Sequence, residues 1–235
     1  ADIVWPFPPA FTLSAYGDLF DSSLYGEALS NSLKLAFGSA TISTLLASGG
    51  AIAVLRYRSR RRGLVLFLFI APLFVADLLI GISILAFASR LAQLADDLFA
   101  LELGFLRPGL PLVVLGQFSY IVSIATLTIS ARLKRFDLTL EEAAYNLGAS
   151  RAAVLWTITL PYLKPALIGA AAISFLMSFE NFNTTLMLVG SDPPLTVMMY
   201  GRMREGASPV LNAVSLFLML GSALLALALM RRRDP

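Results

Sequence analysis

Two carboxylates stand inside long apolar stretches of this chain, and their type and position invite chemistry. Asp77 follows Pro72 by five residues within the apolar run 63–88, about midway along it. Glu180 lies in the run Ser178–Asn183, between the rings Phe179 and Phe182 and beside the amides Asn181 and Asn183. An acid in apolar surroundings is costly unless it is paired or wet, and such acids commonly mark paths for solutes and ions. No Lys or Arg lies at similar depth in the sequence. The two acids can therefore pair with a partner subunit, meet a cationic solute, or hold a proton. A carboxylate flanked by amides and aromatic faces suits an amine or ammonium group, through charge-assisted hydrogen bonds and cation–π contact. Pro72 can break its helix and let a cavity wet Asp77.

Other chemistry is excluded by composition. The chain has no Cys and no His, which removes thiol nucleophiles, disulfides, His/Cys metal sites and imidazole-based catalysis. Its lysines are Lys34, Lys134 and Lys164, and none follows a Gly, so the chain has no phosphate-binding loop of the G-x4-G-K-[ST] type.

The elements that must position these acids are apolar helices. Of the 235 residues, 57% are apolar and 14% charged, against about 25% charged in soluble domains. The mean hydropathy is +0.78. These values exclude a soluble enzyme, a disordered tail and a nucleic-acid-binding domain, and leave a membrane protein with several spans. Five stretches reach the roughly 20 residues a spanning helix needs: Ser32–Leu55, Gly63–Ala88, Leu110–Ala131, Ala166–Leu188 and Val210–Met230. They are continuously apolar, without the alternation of barrel strands. The predicted fold is an all-α polytopic bundle forming a single transmembrane domain over residues 1–235. Small residues at helical spacing, such as Gly38, Ser39 and Ala40, predict close helix packing.

Basic residues give the orientation. Arg56, Arg58, Arg60, Arg61, Arg62, Arg132, Lys134, Arg135, Arg151, Lys164, Arg231, Arg232 and Arg233 fall on one side. Only Lys34, Arg90, Arg107, Arg202 and Arg204 fall on the other. Thirteen against five places the first set in the cytoplasm. Residues 1–28 become an extracytoplasmic lead-in rich in aromatics, Ser89–Gly109 an amphipathic segment on the outer surface, and 132–165 a cytoplasmic loop. An outside N-terminus without a signal sequence predicts a sixth span ahead of Ala1.

The loop 132–165 is the most structured connection. Thr139 and Glu142 have capping-box spacing, and Glu141 and Glu142 occupy a first helical turn, where the dipole favours acids. Ala143, Ala144 and Leu147 share a face, and Gly148 suits a helix end. A second helical stretch follows over 152–159, with Pro161 and Pro165 before the next span. The loop should form a short helix, a Gly turn and another short helix, exposing a small acid-tipped knob.

Glu142-Ala143-Ala144, Gly148, Ile158 and Leu160-Pro161 resemble at every position the coupling loop of ABC importer permeases, written EAA-x3-G-x9-I-x-LP. Phe11-Thr12-Leu13, Tyr16, Leu19-Phe20, Asn31-Ser32-Leu33, Arg56-Tyr57-Arg58, Gly81-Ile82-Ser83, Ser174–Gly190 and Val210–Ala213 resemble the spermidine/putrescine-type members. The resemblance implies a non-catalytic inner-membrane permease subunit of an ATP-driven importer, coupled through Glu141, Glu142, Ala143, Ala144, Leu147, Gly148, Ile158, Leu160 and Pro161. It implies a second permease subunit, two copies of an ATPase that carry ATP and Mg, and an extracytoplasmic binding protein, with no cofactor on this chain. Asp77, Phe179, Glu180, Asn181, Phe182 and Asn183 are the candidate path residues. The expected cargo is a polyamine such as putrescine or spermidine. Alternatives are another small solute, such as an amino-acid derivative or opine-like compound, or a secondary transporter or channel, which would not need the coupling loop.

Overall fold

The computed structural model describes residues 23–56, 62–206, 212–216, 218–221 and 223. The lead-in up to Asp21 and Ser22, Tyr57–Arg61, and most of the predicted last span with Arg231–Arg233 lie outside the described residues. The described residues fold into helices: α1 (Ser23–Arg56), α2 (Arg62–Ile70), α3 (Asp77–Phe99), α4 (Leu110–Leu133), α5 (Thr139–Asn146), α6 (Arg151–Val154), α7 (Leu160–Glu180), α8 (Asn183–Leu188) and α9 (Leu195–Glu205), with further helix at 212–216 and 218–221. Four helical segments are long and apolar enough to cross a bilayer: Ser23–Leu55, Asp77–Phe99, Leu110–Leu133 and Arg151–Glu180.

The chain forms two compact units, one of residues 31–193 and one of 1–30 with 194–235. The smaller unit centres on Ala28, Leu195, Met198 and Val214, flanked by Tyr25, Met199 and Leu218. It contains α9, which no sequence signal had separated from its connection.

In the larger unit α4 is the axis. It is apolar on every face, as a helix surrounded by others must be, and Leu112, Val113, Ile121 and Ile129 are fully buried. Helices α2, α3, α7 and α8 pack on it. Lipid supplies no hydrophobic force between helices, so close approach depends on small residues. Gly116 of α4 faces Leu188 and Thr184 of α8, and Gly81 of α3 faces Met187 and Thr184. A Cβ at Gly81 would stand 3.1 Å from Met187 Cβ and 3.2 Å from Thr184 Cα. By contrast α3 buries only Ile80, Gly81 and Ala88 and leaves Leu78, Leu79, Ile82 and Phe87 exposed.

Two predicted spans are broken. The run 63–88 ends its first helix at Ile70, makes a 3₁₀ turn at Ala71–Phe74 with Pro72 in its first positions, and passes through extended Val75 and Ala76 before α3. Pro72 cannot donate the hydrogen bond that would continue α2. Asp77 is therefore the first residue of α3, not a mid-helix residue, and its charge faces the positive end of the helix dipole. Helix α3 then runs on to Phe99, so most of the segment expected to lie on the outer surface continues a helix. The run 166–188 breaks after Glu180, at Asn181 and Phe182, before the short α8. At its other end the helical path begins at Arg151, with a wide π turn at Leu155–Thr159 joining α6 to α7.

Candidate functional site

The break after Glu180 is held by side chains. Asn181, almost fully buried, accepts the Thr185 backbone N–H at 3.2 Å and the Thr185 hydroxyl at 2.9 Å through Oδ1. Its Nδ2 donates to the Tyr120 hydroxyl at 2.7 Å. The side chain thus supplies an acceptor near the start of α8 in the manner of a cap. Gln117 of α4, 0% exposed, is the hub beside it. Its Oε1 accepts from Ser39 at 3.1 Å and from the Ser178 hydroxyl, and its Nε2 donates to Thr185 Oγ1 at 2.7 Å and to the Ser178 carbonyl at 3.4 Å. The Thr184 hydroxyl donates to the Asp77 carbonyl at 3.0 Å, which ties the two broken spans together.

The predicted path residues thus divide. Asn181 is joined to Tyr120 and Thr185, and Asp77 meets the same helix α8 only through its backbone carbonyl on Thr184. Phe179 is half-buried and stacks on Phe175 with ring centres 5.9 Å apart; Phe175 meets Phe37 edge-on at 5.0 Å. Phe182 is half-buried, while Glu180 and Asn183 are exposed at the end of α7 and the start of α8. Among the described residues neither Asp77 nor Glu180 makes an ion pair. Sequence reasoning missed Gln117, Tyr120, Ser178, Thr184 and Thr185. The available signal was a single amide within the apolar run of α4, which inside a membrane requires partners.

The second site is the loop 132–165. Helix α5 ends in a Schellman turn. The Gly148 N–H bonds to the Tyr145 carbonyl at 2.9 Å and the Ala149 N–H to the Ala144 carbonyl at 3.0 Å, with Gly148 at φ +86°. That conformation is glycine's, so the turn explains the glycine. The predicted capping box does not form. Leu138 is the N-cap residue, and the Asp137 carboxylate accepts the Thr139 backbone N–H at 3.0 Å. The Thr139 amide and hydroxyl hold the Asp137 carboxyl below the usual carboxylate range. Glu142, the expected partner in the box, is exposed, and its neighbour Glu141 accepts the hydroxyl of Thr159. Ser150 caps α6 by accepting the Ala153 N–H at 3.2 Å.

The loop's exposed surface is apolar. Leu138, Leu140, Tyr145, Leu147 at 89% and Trp156 at 71% face outward, with Ala143 exposed among them, while Ala144 and Ile158 are half-buried. Leu160 and Pro161 open α7 directly after the π turn. The base of the loop is closed by Tyr162. Arg132 Nε donates to its carbonyl at 3.3 Å, the Arg132 guanidinium lies 4.5 Å from its ring centre, and Phe136 meets the ring edge-on at 4.9 Å.

A helical bundle with broken spans, a buried polar cluster at the breaks and an outward-facing loop with an apolar knob defines a multi-pass membrane permease. Residues 39–232 match the family described as the binding-protein-dependent transport system inner membrane component, and the chain belongs to that family. It is a non-catalytic inner-membrane subunit of an ABC importer, whose ATPase is a separate subunit. It is 29% identical over 219 residues to the spermidine/putrescine transport system permease protein PotC of Escherichia coli K12, covering 93% of this chain and 78% of that one. It is 28% identical over 202 residues to the putrescine transport system permease protein PotI of the same organism, covering 85% and 69%. Among solved structures, a bacterial ABC transporter involved in the import of the acidic polysaccharide alginate matches with a TM-score of 0.82 at 18% identity, covering 97% of this chain and 86% of that one. The inward-facing MetNI methionine ABC transporter matches with a TM-score of 0.68 at 15% identity, covering 89% and 94%.

Proposed function

We propose that this chain lines, with a second permease subunit, the membrane path of an importer for a small polyamine such as putrescine or spermidine. The assembly would carry two copies of an ATPase with ATP and Mg, one of them docked on the loop 132–165, and an extracytoplasmic binding protein would deliver the cargo. The observation that carries the docking is the exposed apolar knob. Leu140, Tyr145, Leu147 and Trp156 are all exposed on a loop bounded by basic residues, and large apolar side chains kept in water call for a protein partner. The turn at Gly148 fixes the angle at which α5 presents its share of them. Binding and hydrolysis of ATP on the partner would move this knob and, with it, α7.

The cargo reading rests on two supports. The relatives are named for polyamines, and Asp77 and Glu180 bring negative charge to the two breaks in the spans. Glu180 stands exposed at the carbonyl end of α7, where the helix dipole adds to its own charge and favours a cation. The deciding experiment is Glu180→Gln in the assembled transporter, with putrescine uptake and ATPase co-purification measured together. Uptake at limiting putrescine should fall several-fold while the complex stays intact. A complex that loosens instead would assign Glu180 to the subunit interface, and unchanged uptake would remove the charge argument for a cationic cargo.

A further inference from the structure

We infer that Thr159 is the positioning residue that makes α5 and α7 move as one body. The inference rests on the docking role proposed for α5. Helix α5 is joined to α6 through Gly148, at its C-terminal end, in a left-handed turn, so along the chain it reaches α7 only by way of α6. At the opposite end Glu141 accepts the hydroxyl of Thr159, eighteen residues further on. From Glu141 to Gly148 is seven residues, about 10 Å along a helix. The chain 134–138 already ties that end of α5 to α4, and the Glu141–Thr159 bond adds a direct link to the N-cap residue of α7, about 10 Å from the Gly148 turn.

The π turn serves this second tether. The Leu160 N–H bonds to the Leu155 carbonyl, five residues back, so the turn carries one more residue than an α turn. One residue is about 100° of helix rotation. The facing of α6 relative to α7 is thus offset by that angle, and Thr159, at the end of the turn, is 2% exposed with its hydroxyl on Glu141. Pro161, which cannot donate a backbone hydrogen bond, stands two residues further on and keeps the helix from closing into regular α geometry there. Arg132 and Phe136 on Tyr162 hold the same end of α7 to α4. Push on the knob is therefore delivered directly to α7 through Thr159 and not only along the chain through α6.

The test uses the whole transporter, purified with its ATPase and reconstituted. A single cysteine at Phe179, the only one in this chain and read on this chain after the subunits are separated, reports movement of α7 through the change in its maleimide labelling rate when ATP is added. Thr159→Val keeps shape and burial but removes the donor. It should leave ATPase co-purification intact and reduce the ATP-driven change in labelling about ten-fold, the scale of losing one hydrogen bond to a charged acceptor. Thr159→Ser should restore it, which a purely packing role for the threonine methyl would not allow. A full ATP response in Thr159→Val, or no rescue by Ser, overturns the inference. If the ATPase fails to co-purify even with Thr159 present, the docking role of the loop falls and this inference with it, an outcome distinct from loss of response in an intact complex.

Discussion

Gln117 is fully buried and Leu147 almost fully exposed, the reverse of where water would send an amide and an isobutyl group. The two regions around them differ in the same sense. The Gln117 cluster is polar, enclosed and saturated with hydrogen bonds to α1, α7 and α8. The α5 loop is apolar at its tip and makes its hydrogen bonds at its base. The first region needs nothing from outside, because its partners come from its own helices. The second leaves large apolar side chains uncovered. Satisfaction in one place and deficit in the other separate a structural centre from the surface proposed for docking.

The comparison breaks most completely if the loop faces the wrong compartment. Cysteines at Ala100 and Ser191, both exposed, should label with an impermeant maleimide from outside intact cells, and one at Ser150 only after the cytoplasmic face is opened. Labelling of Ser150→Cys from outside would remove the docking surface from the cytoplasm. Next in size is Gly148→Val. A β-branched residue at φ +86° is strained by about 1–3 kcal/mol, and the knob would turn away. Uptake should fall more than ten-fold while the chain still inserts and the Gln117 cluster keeps its stability; normal uptake would show that the angle of α5 is unimportant. Gln117→Leu should do the opposite. It leaves Ser39 and Thr185 without their amide partner and should lower stability by about 1–3 kcal/mol, read as a lower midpoint in thermal unfolding, with ATPase docking retained. No change in midpoint would mean the cluster is not a structural centre.

The smallest effect concerns Asp137. Its carboxyl is held low in the folded chain by Thr139. What it adds to the start of α5 is therefore fully present above the ordinary carboxylate pKa of about 4 and is lost as pH falls through the lower folded value. Amide exchange in α5 should be unchanged from pH 8 to 5 and begin to quicken, relative to intrinsic rates, only below about 4. Quickening already near pH 6 would point to another group.

The loop was legible in the sequence because its logic is local. The pattern from Glu142 to Pro161 spans twenty residues, and Gly148 announces its own turn. The capping box failed for an equally local reason, since Asp137, two residues before Thr139, reached the helix start first. Four of the five expected apolar segments overlap a long helix among the described residues, and the interruptions were readable only partly. Pro72 marks one break. The other, at Asn181, has neither Pro nor Gly, and it exists because a side chain does a backbone acceptor's work. The Gln117 hub could not be assembled by spacing alone, since its partners lie 61 to 78 residues away.

Helix α8 is six residues long and lies against two glycines, Gly81 on α3 and Gly116 on α4. Even a methyl group at Gly116 would run into the Leu188 side chain. Sequence drift at these positions is therefore conditional. An alanine at 116 requires the end of Leu188 to move and also stands 3.1 Å from Thr184 Cγ2, so a smaller residue at 188 eases the change without clearing it. Gly81 is bounded by the α8 backbone itself at Thr184, and no single change of a facing side chain would make equivalent room. Of the two, it is the position at which substitution has the fewest ways to be forgiven.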